Sequence, residues 1–182
     1  MAPQLAQDGD VVVDVGCGYL IGTKELLKHH GTVYAVDTEI QADRVASRLD
    51  EISTSPRFGG FLTLDQLEAS DISLDGAYLV NVLHTIPTVD RRLDILAAVR
   101  SRVKDGGFLL IDVPSYEYYY SQRMTKQNAL EDGHYFKNGP GYTFYRFCKA
   151  DELDSWANKA GFVFEGRAVV NHHLVRLYSA EI

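Results

Sequence analysis

Two glycines set between carboxylates carry the first chemistry that this sequence offers. Asp14, Gly16, Gly18 and Asp37 fall in VVVDVGCGYLIGTKELLKHHGTVYAVD, residues 11–37. Gly16 and Gly18 let the backbone turn sharply and leave space for a ligand to approach it. A helix that begins just after such a turn presents unpaired amide N–H groups, which suit an anionic group. Asp37 closes the next β-branched run, and a carboxylate there can accept two hydrogen bonds from a ribose diol. His84, in NVLHTIP at residues 81–87, is the second chemical candidate. An imidazole can act as a base near neutral pH; its alternative is a histidine packed under a ligand or bonded to a backbone carbonyl. Cys17 and Cys148 are the two cysteines. They form no metal or disulfide pattern, so a reducing interior, a cytoplasmic location and no metal site are expected.

The elements that must position these residues follow from periodicity. Residues 11–15 and 32–36 read as buried parallel strands, with a helix over 21–28 between them. Ligands of open α/β sheets bind at the carboxyl ends of such strands. A helix over 40–52 puts Ala42, Val45, Ala46 and Leu49 on one face. Residues 60–64 read as a strand followed by the loop Asp65-Gln66, and 75–82 as another strand. Thr88 is an N-cap for a helix to about residue 103. Val89, Leu93, Leu96 and Ala97 form its core stripe, with Arg91, Arg92 and Arg100 in solvent. Lys104-Asp105-Gly106-Gly107 ends it, and residues 108–113 form a strand stopped by Pro114. Residues 151–160 read as a helix that buries Leu153, Trp156, Ala157 and Ala160. Strands at 162–169 and 172–179 close the chain. His172 and His173 are structural in this reading, because adjacent strand residues face opposite sides and do not easily share a metal.

DVGCG, followed by an acid at the end of the next strand, resembles the class I S-adenosylmethionine-dependent methyltransferases. So do the helix–DGG–apolar strand at 89–113 and the helix–AGF–strand–strand ending. The resemblance implies an α/β fold: a Rossmann-like three-layer sandwich whose seven-stranded sheet is mostly parallel, with an antiparallel last strand. It implies S-adenosyl-L-methionine as cofactor. Asp37 would hold the ribose, Gly16 and Gly18 the methionine portion, and Asp65, with Gln66 beside it, the adenine; Asp71 competes for that role. Asp14, Cys17 and Asn81 complete the expected cofactor set, and His84 is the expected catalytic base. One departure stands out: many members carry a further glycine where this chain has Leu20. The family's N-terminal capping helix also has little counterpart before residue 11. The rival dinucleotide fingerprint needs a small residue at position 21, where Ile21 stands.

Residues 115–149 interrupt the resemblance. They hold half of the chain's aromatic residues and five cations against three acids, in a chain of net charge −7. This segment reads as an insertion over the substrate side of the cleft, partly helical at 117–130, with a glycine-rich loop at 138–141 as a lid. Tyr116, Tyr119, Tyr120, His134 and Tyr145 are its candidate substrate contacts. Aromatic walls with a few cations suit a flat or acidic small molecule. The same tyrosines could instead form an interface between copies of the chain. The negative charge disfavours a nucleic-acid or membrane surface, and no apolar run reaches the ~20 residues that span a bilayer. The expectation is one domain of 182 residues that methylates a small molecule. Two alternatives stay open. One is a non-catalytic member that uses the aromatic segment as a contact surface. The other, aminopropyl transfer, would need acids to hold a polyamine, and the segment is slightly basic.

Overall fold

The computed structural model describes residues 9–114, 128–130, 132–138, 141–170 and 172–181. The candidate contacts Tyr116, Tyr119 and Tyr120 lie outside the described residues, as does most of the expected helix at 117–130.

Val11–Val15 (β1) and Thr32–Val36 (β2) are β-branched runs with nearly every side chain buried or half-buried, and they pair in parallel. Phe58–Leu62 (β3) extends the sheet beyond β2, and Leu74–Val80 (β4) lies on the other side of β1. Val103–Pro114 (β5), Phe162–Val170 (β6) and His173–Ala180 (β7) complete it. The order is β3-β2-β1-β4-β5-β7-β6. β7 runs antiparallel to both neighbours, so it starts at the same rim where β1, β4 and β5 end. That rim is the ligand side of an open α/β sheet. Ile21–Leu26 (α1) and Ala46–Ile52 (α3) contribute to the clusters on one face, and the short Glu39–Arg44 (α2), with no buried residue, leads into α3. Leu64–Ala69 (α4), Val89–Arg100 (α5) and Ala150–Lys159 (α6) pack the main core on the other, around Val13, Leu79, Leu96, Ile111, Trp156 and Tyr178. No described helix is long and apolar enough to cross a membrane.

Four expectations are corrected. The third strand lies two residues earlier than 60–64, because Thr63 caps α4: Thr63 Oγ1 accepts from Gln66 N at 3.2 Å, and Gln66 Oε1 accepts from Thr63 N at 2.8 Å. That reciprocal box ends the strand and starts a helix where a loop was expected. The helix at 40–52 breaks at Val45 (φ −113°, ψ 15°), which turns Val45 and Ile52 into the core and leaves Ala46 exposed. The stripe on α5 is Arg92, Ile95, Leu96 and Val99, with Val89 and Ala97 outside. An arginine occupies a core position there, which an apolar-residue pattern does not register. Finally, the aromatic segment contains a small antiparallel sheet of Ala129–Leu130 (β8), Gly133–Asn138 (β9) and Gly141–Tyr145 (β10). Its ladder runs to the pair Asn138–Gly141, which flanks the loop expected as a lid.

Arg92 explains how that small sheet docks. Its side chain is fully buried; Nε donates to Leu83 O at 3.1 Å, and the two terminal nitrogens donate to Ile86 O and Asp132. Asp132 also accepts from Arg146 Nη1 at 2.6 Å, and Arg146 Nη2 reaches Glu152 at 2.7 Å. Both guanidinium groups lie about 5 Å from the Trp156 ring, Arg92 at 5.0 Å and Arg146 at 5.1 Å. Two buried cations are therefore tied to carboxylates, carbonyls and one indole, as burial of charge requires. The arrangement clamps the small sheet to α5 and to the turn after β4.

Candidate functional site

A cleft of ≈ 260 Å³ opens at the carboxyl ends of β1, β2 and β4. Its walls include Gly16, Asp37, Thr38, Leu64, Asp65, Val82, Ile86, Arg91 and Ile95. This volume lies near the lower end of small-molecule pockets, ~300–1,000 Å³. Gly16 is what keeps it open. At φ +71° it sits in the left-handed region, and a Cβ there would lie 2.5 Å from Val82 Cγ2. The turn after β1 can approach the turn after β4 only without a side chain.

Asp37 holds the rim together. Its two oxygens accept from Gly18 N at 2.9 Å and Thr38 N at 2.8 Å. Each carboxylate oxygen keeps a further lone pair, so the pair can still receive a diol. Gln41 Nε2 donates to Gly18 O at 2.8 Å, which fixes the glycine turn from the side of α2. Leu20, the position where a glycine was expected, takes a left-handed φ of 62° and is fully buried. The backbone thus adopts a glycine-like conformation, at a cost of roughly 1 kcal/mol, while the side chain joins the cluster with Cys17, Val45 and Ile52.

Several expected residues take other places. Asp14 is 4% exposed; its carboxylate accepts from Thr23 Oγ1 at 2.6 Å and from the Thr23 amide. The free amides at the start of α1 meet the chain's own acid, not the cleft. Burial holds the Asp14 carboxyl above its ordinary range, against those hydrogen bonds. Cys17 is buried beside Leu20, and burial raises its thiol, so it is a packing residue. Gln66 is spent on the Thr63 box. Asp65, one residue earlier, is exposed on the cleft wall. Arg91 was expected in solvent; it lines the cleft one helical turn before Ile95, on the same face of α5. The i,i+4 pair could have signalled this, had the face been read around Arg92.

A second group of residues borders the end of β4. Asn81, at a left-handed φ of 61°, donates its N–H to Asp112 O at 2.8 Å. His84 follows on a short 3-10 turn, Leu83–Thr85. It is 5% exposed and packs edge-on against Tyr145, with ring centroids 4.9 Å apart. Its Nδ1 is buried without a partner. Burial, aided by the neighbouring His173, pushes the His84 imidazole down to about 4. It is a neutral histidine at physiological pH, and a weak base. Tyr145 is buried against His84 and Phe147, and His134 is half-buried, opposite Tyr145 in the β9–β10 ladder. Tyr135 and Tyr142 face solvent. Burial raises the Cys148 thiol to about 11.

One further titratable residue reaches this rim. His173, read as structural, begins β7 at this rim; its Nδ1 lies 2.7 Å from Asp112 Oδ1, and a third of its side chain is exposed.

Three comparisons bear on this geometry. A family model described as a methyltransferase domain matches residues 1–165. No curated protein matches by sequence. Among solved structures, an S-adenosylmethionine-dependent methyltransferase from Methanosarcina mazei superposes with a TM-score of 0.72 at 14% identity, over 100% of this chain and 99% of that one. A methyltransferase of the same kind from Clostridium acetobutylicum gives 0.71 at 14% identity, over 98% and 87%. The 1,6-didemethyltoxoflavin-N1-methyltransferase of Burkholderia thailandensis, solved with bound 1,6-didemethyltoxoflavin and S-adenosylhomocysteine, gives 0.64 at 22% identity, over 96% and 72%. At these identities the likeness is one of fold.

Proposed function

The chain belongs to the methyltransferase domain family, and from that premise we propose that it transfers a methyl group from S-adenosylmethionine to a small, flat acceptor. The observation that carries this reading is the Gly16–Asp37–Asp65 cleft, which sets two carboxylates among mostly apolar walls. Asp37 would hold the ribose diol and Asp65 the adenine amino group. Leu64, Ile86 and Ile95 would pack the base. Gly16 and Gly18 would carry the methionine portion toward Asn81. The sulfonium supplies an already activated methyl carbon, so the protein's work is to align the acceptor and exclude water. The residues around Asn81, His84 and Tyr145 continue from the cleft and are the proposed acceptor side. The structural neighbour solved with bound 1,6-didemethyltoxoflavin accords with a small-molecule acceptor. In this reading the chain is one catalytic domain, with residues 115–149 as an insertion. The two free, buried cysteines suit a cytoplasmic enzyme. Its net charge of −7 argues against a nucleic-acid surface. The exposed rings of Tyr135 and Tyr142 are where a second copy would dock.

Calorimetry with S-adenosylhomocysteine tests the proposal. Wild type should bind and Asp37→Ala should bind at least ~10-fold more weakly, the worth of one charged hydrogen-bond acceptor. Equal affinities, or no binding by wild type at millimolar ligand, would refute it.

A further inference from the structure

Two histidines stand at the acceptor-side rim, and their surroundings divide the labour between them. His84 is enclosed, faces the Tyr145 ring and has no partner at Nδ1. His173 is open to a ligand and has a fixed partner, Asp112, at 2.7 Å. A carboxylate only accepts, so Nδ1 of His173 carries the hydrogen, and in the neutral ring Nε2 keeps its lone pair.

The fold explains why this pair sits at the rim. β7 is antiparallel, so its first residue lies where the parallel strands end. Asp112 is opposite Val175 in the β5–β7 ladder, and His173 is two residues before Val175, on the same face. Asp112 is also bound through its carbonyl to the N–H of Asn81, and the next residue, Val82, is a wall of the cleft. A continuous path of three residues therefore joins the dyad to the cleft. Among the described residues, the titratable groups at this rim are Asp112 on β5, His84 on the turn after β4 and His172 beside it in the chain. β6 sets Val170 opposite His173 in the ladder. Arg176, on the same strand, turns to the other face and pairs with Asp154.

We propose that His173, oriented by Asp112, is the base that accepts the acceptor's proton, and that the acceptor therefore bears an ionisable hydroxyl or ring N–H. The inference rests on the methyl-donor reading above. The acceptor's lone pair forms the bond to the methyl carbon as the carbon–sulfur bond breaks; the electron pair stays on sulfur, and the acceptor's proton passes to Nε2 of His173. Asp112 is the positioning residue: it selects the Nδ1–H tautomer and stabilises the imidazolium that forms. His84, buried and neutral, adds no positive charge to oppose that proton.

Ring-nitrogen NMR of the full chain tests this without a known acceptor. His173→Asn assigns the His173 signals. The free protein should show Nδ1 protonated and Nε2 bare, and Asp112→Asn should lose that preference. The His173 Nε2 signal should differ between the S-adenosylmethionine and S-adenosylhomocysteine complexes, because only the former carries a positive sulfur. An Nε2–H tautomer, or identical Nε2 signals with both nucleosides, overturns the assignment while leaving the donor site intact. Absence of binding by either nucleoside in calorimetry removes the donor reading itself, and this inference falls with it.

Discussion

Asp65 and Gln66 show how finely function is divided between adjacent residues. Gln66 closes a helix cap, and Asp65 is left on the cleft wall. Asp65→Ala should therefore weaken S-adenosylhomocysteine binding by roughly ten-fold while leaving folding unchanged, whereas Gln66→Ala should lower stability by ~1 kcal/mol with affinity retained. Calorimetry beside urea unfolding separates the two; the reverse pattern would exchange their roles. His84 gives a pH prediction. The unfolded chain takes up its proton near 6.5 and the folded chain resists it until about 4. Stability from this group is complete above 6.5 and is lost as pH falls toward 4, by about 2 kcal/mol at pH 5. In urea titrations at pH 7.5 and 5, wild type should lose that much more than His84→Phe. Parallel losses would mean that the imidazole is not held neutral. The spacing of Asp14, Gly16, Gly18 and Asp37 located this rim from sequence. It did not separate Asp37, which faces the cleft, from Asp14, which is buried and bonded to Thr23.

At the scale of elements, the site is two turns brought together. The turn after β1 meets the turn after β4 at Gly16 and Val82. Gly16→Ala should abolish nucleoside binding, since its methyl overlaps Val82. Gly16→Ala combined with Val82→Ala should regain part of it, the residual loss reflecting the left-handed strain of ~1 kcal/mol. No recovery in calorimetry would show that the contact does not set the opening. The second turn is held from behind by Arg92 through Leu83 O and Ile86 O. Arg92→Met fits the space but strands those carbonyls and leaves Asp132 with Arg146 alone, so about 3–5 kcal/mol of stability should vanish in urea unfolding; a change below ~1 kcal/mol would contradict the clamp. Strands β1 and β2 were legible to the residue because their apolar runs are bounded by glycine and aspartate. The face of α5 was not, because its buried arginine mimics a surface residue. The capping box at Thr63 was written in the sequence as T-L-D-Q; the strand signal beside it masked it.

Across the whole molecule, the order β3-β2-β1-β4-β5-β7-β6 sets two chemistries side by side. The parallel half offers glycine turns and acids. The antiparallel β7 returns an imidazole to the same rim. The fold class and its antiparallel ending were legible through the family resemblance, carried by DVGCG and by the helix–AGF–strand–strand ending. The docked small sheet was not readable, because its anchor Asp132 finds a partner 40 residues away in sequence, at Arg92. The pairing of His173 with Asp112 was hidden for the same reason: they are neighbours only once β5 and β7 pair. A crystal structure with S-adenosylhomocysteine tests the central claim most directly. The account predicts ribose hydroxyls on Asp37, adenine between Leu64 and Ile95 with its amino group toward Asp65, and sulfur directed toward Asn81. A nucleoside bound elsewhere, or ribose without contact to Asp37, would contradict it.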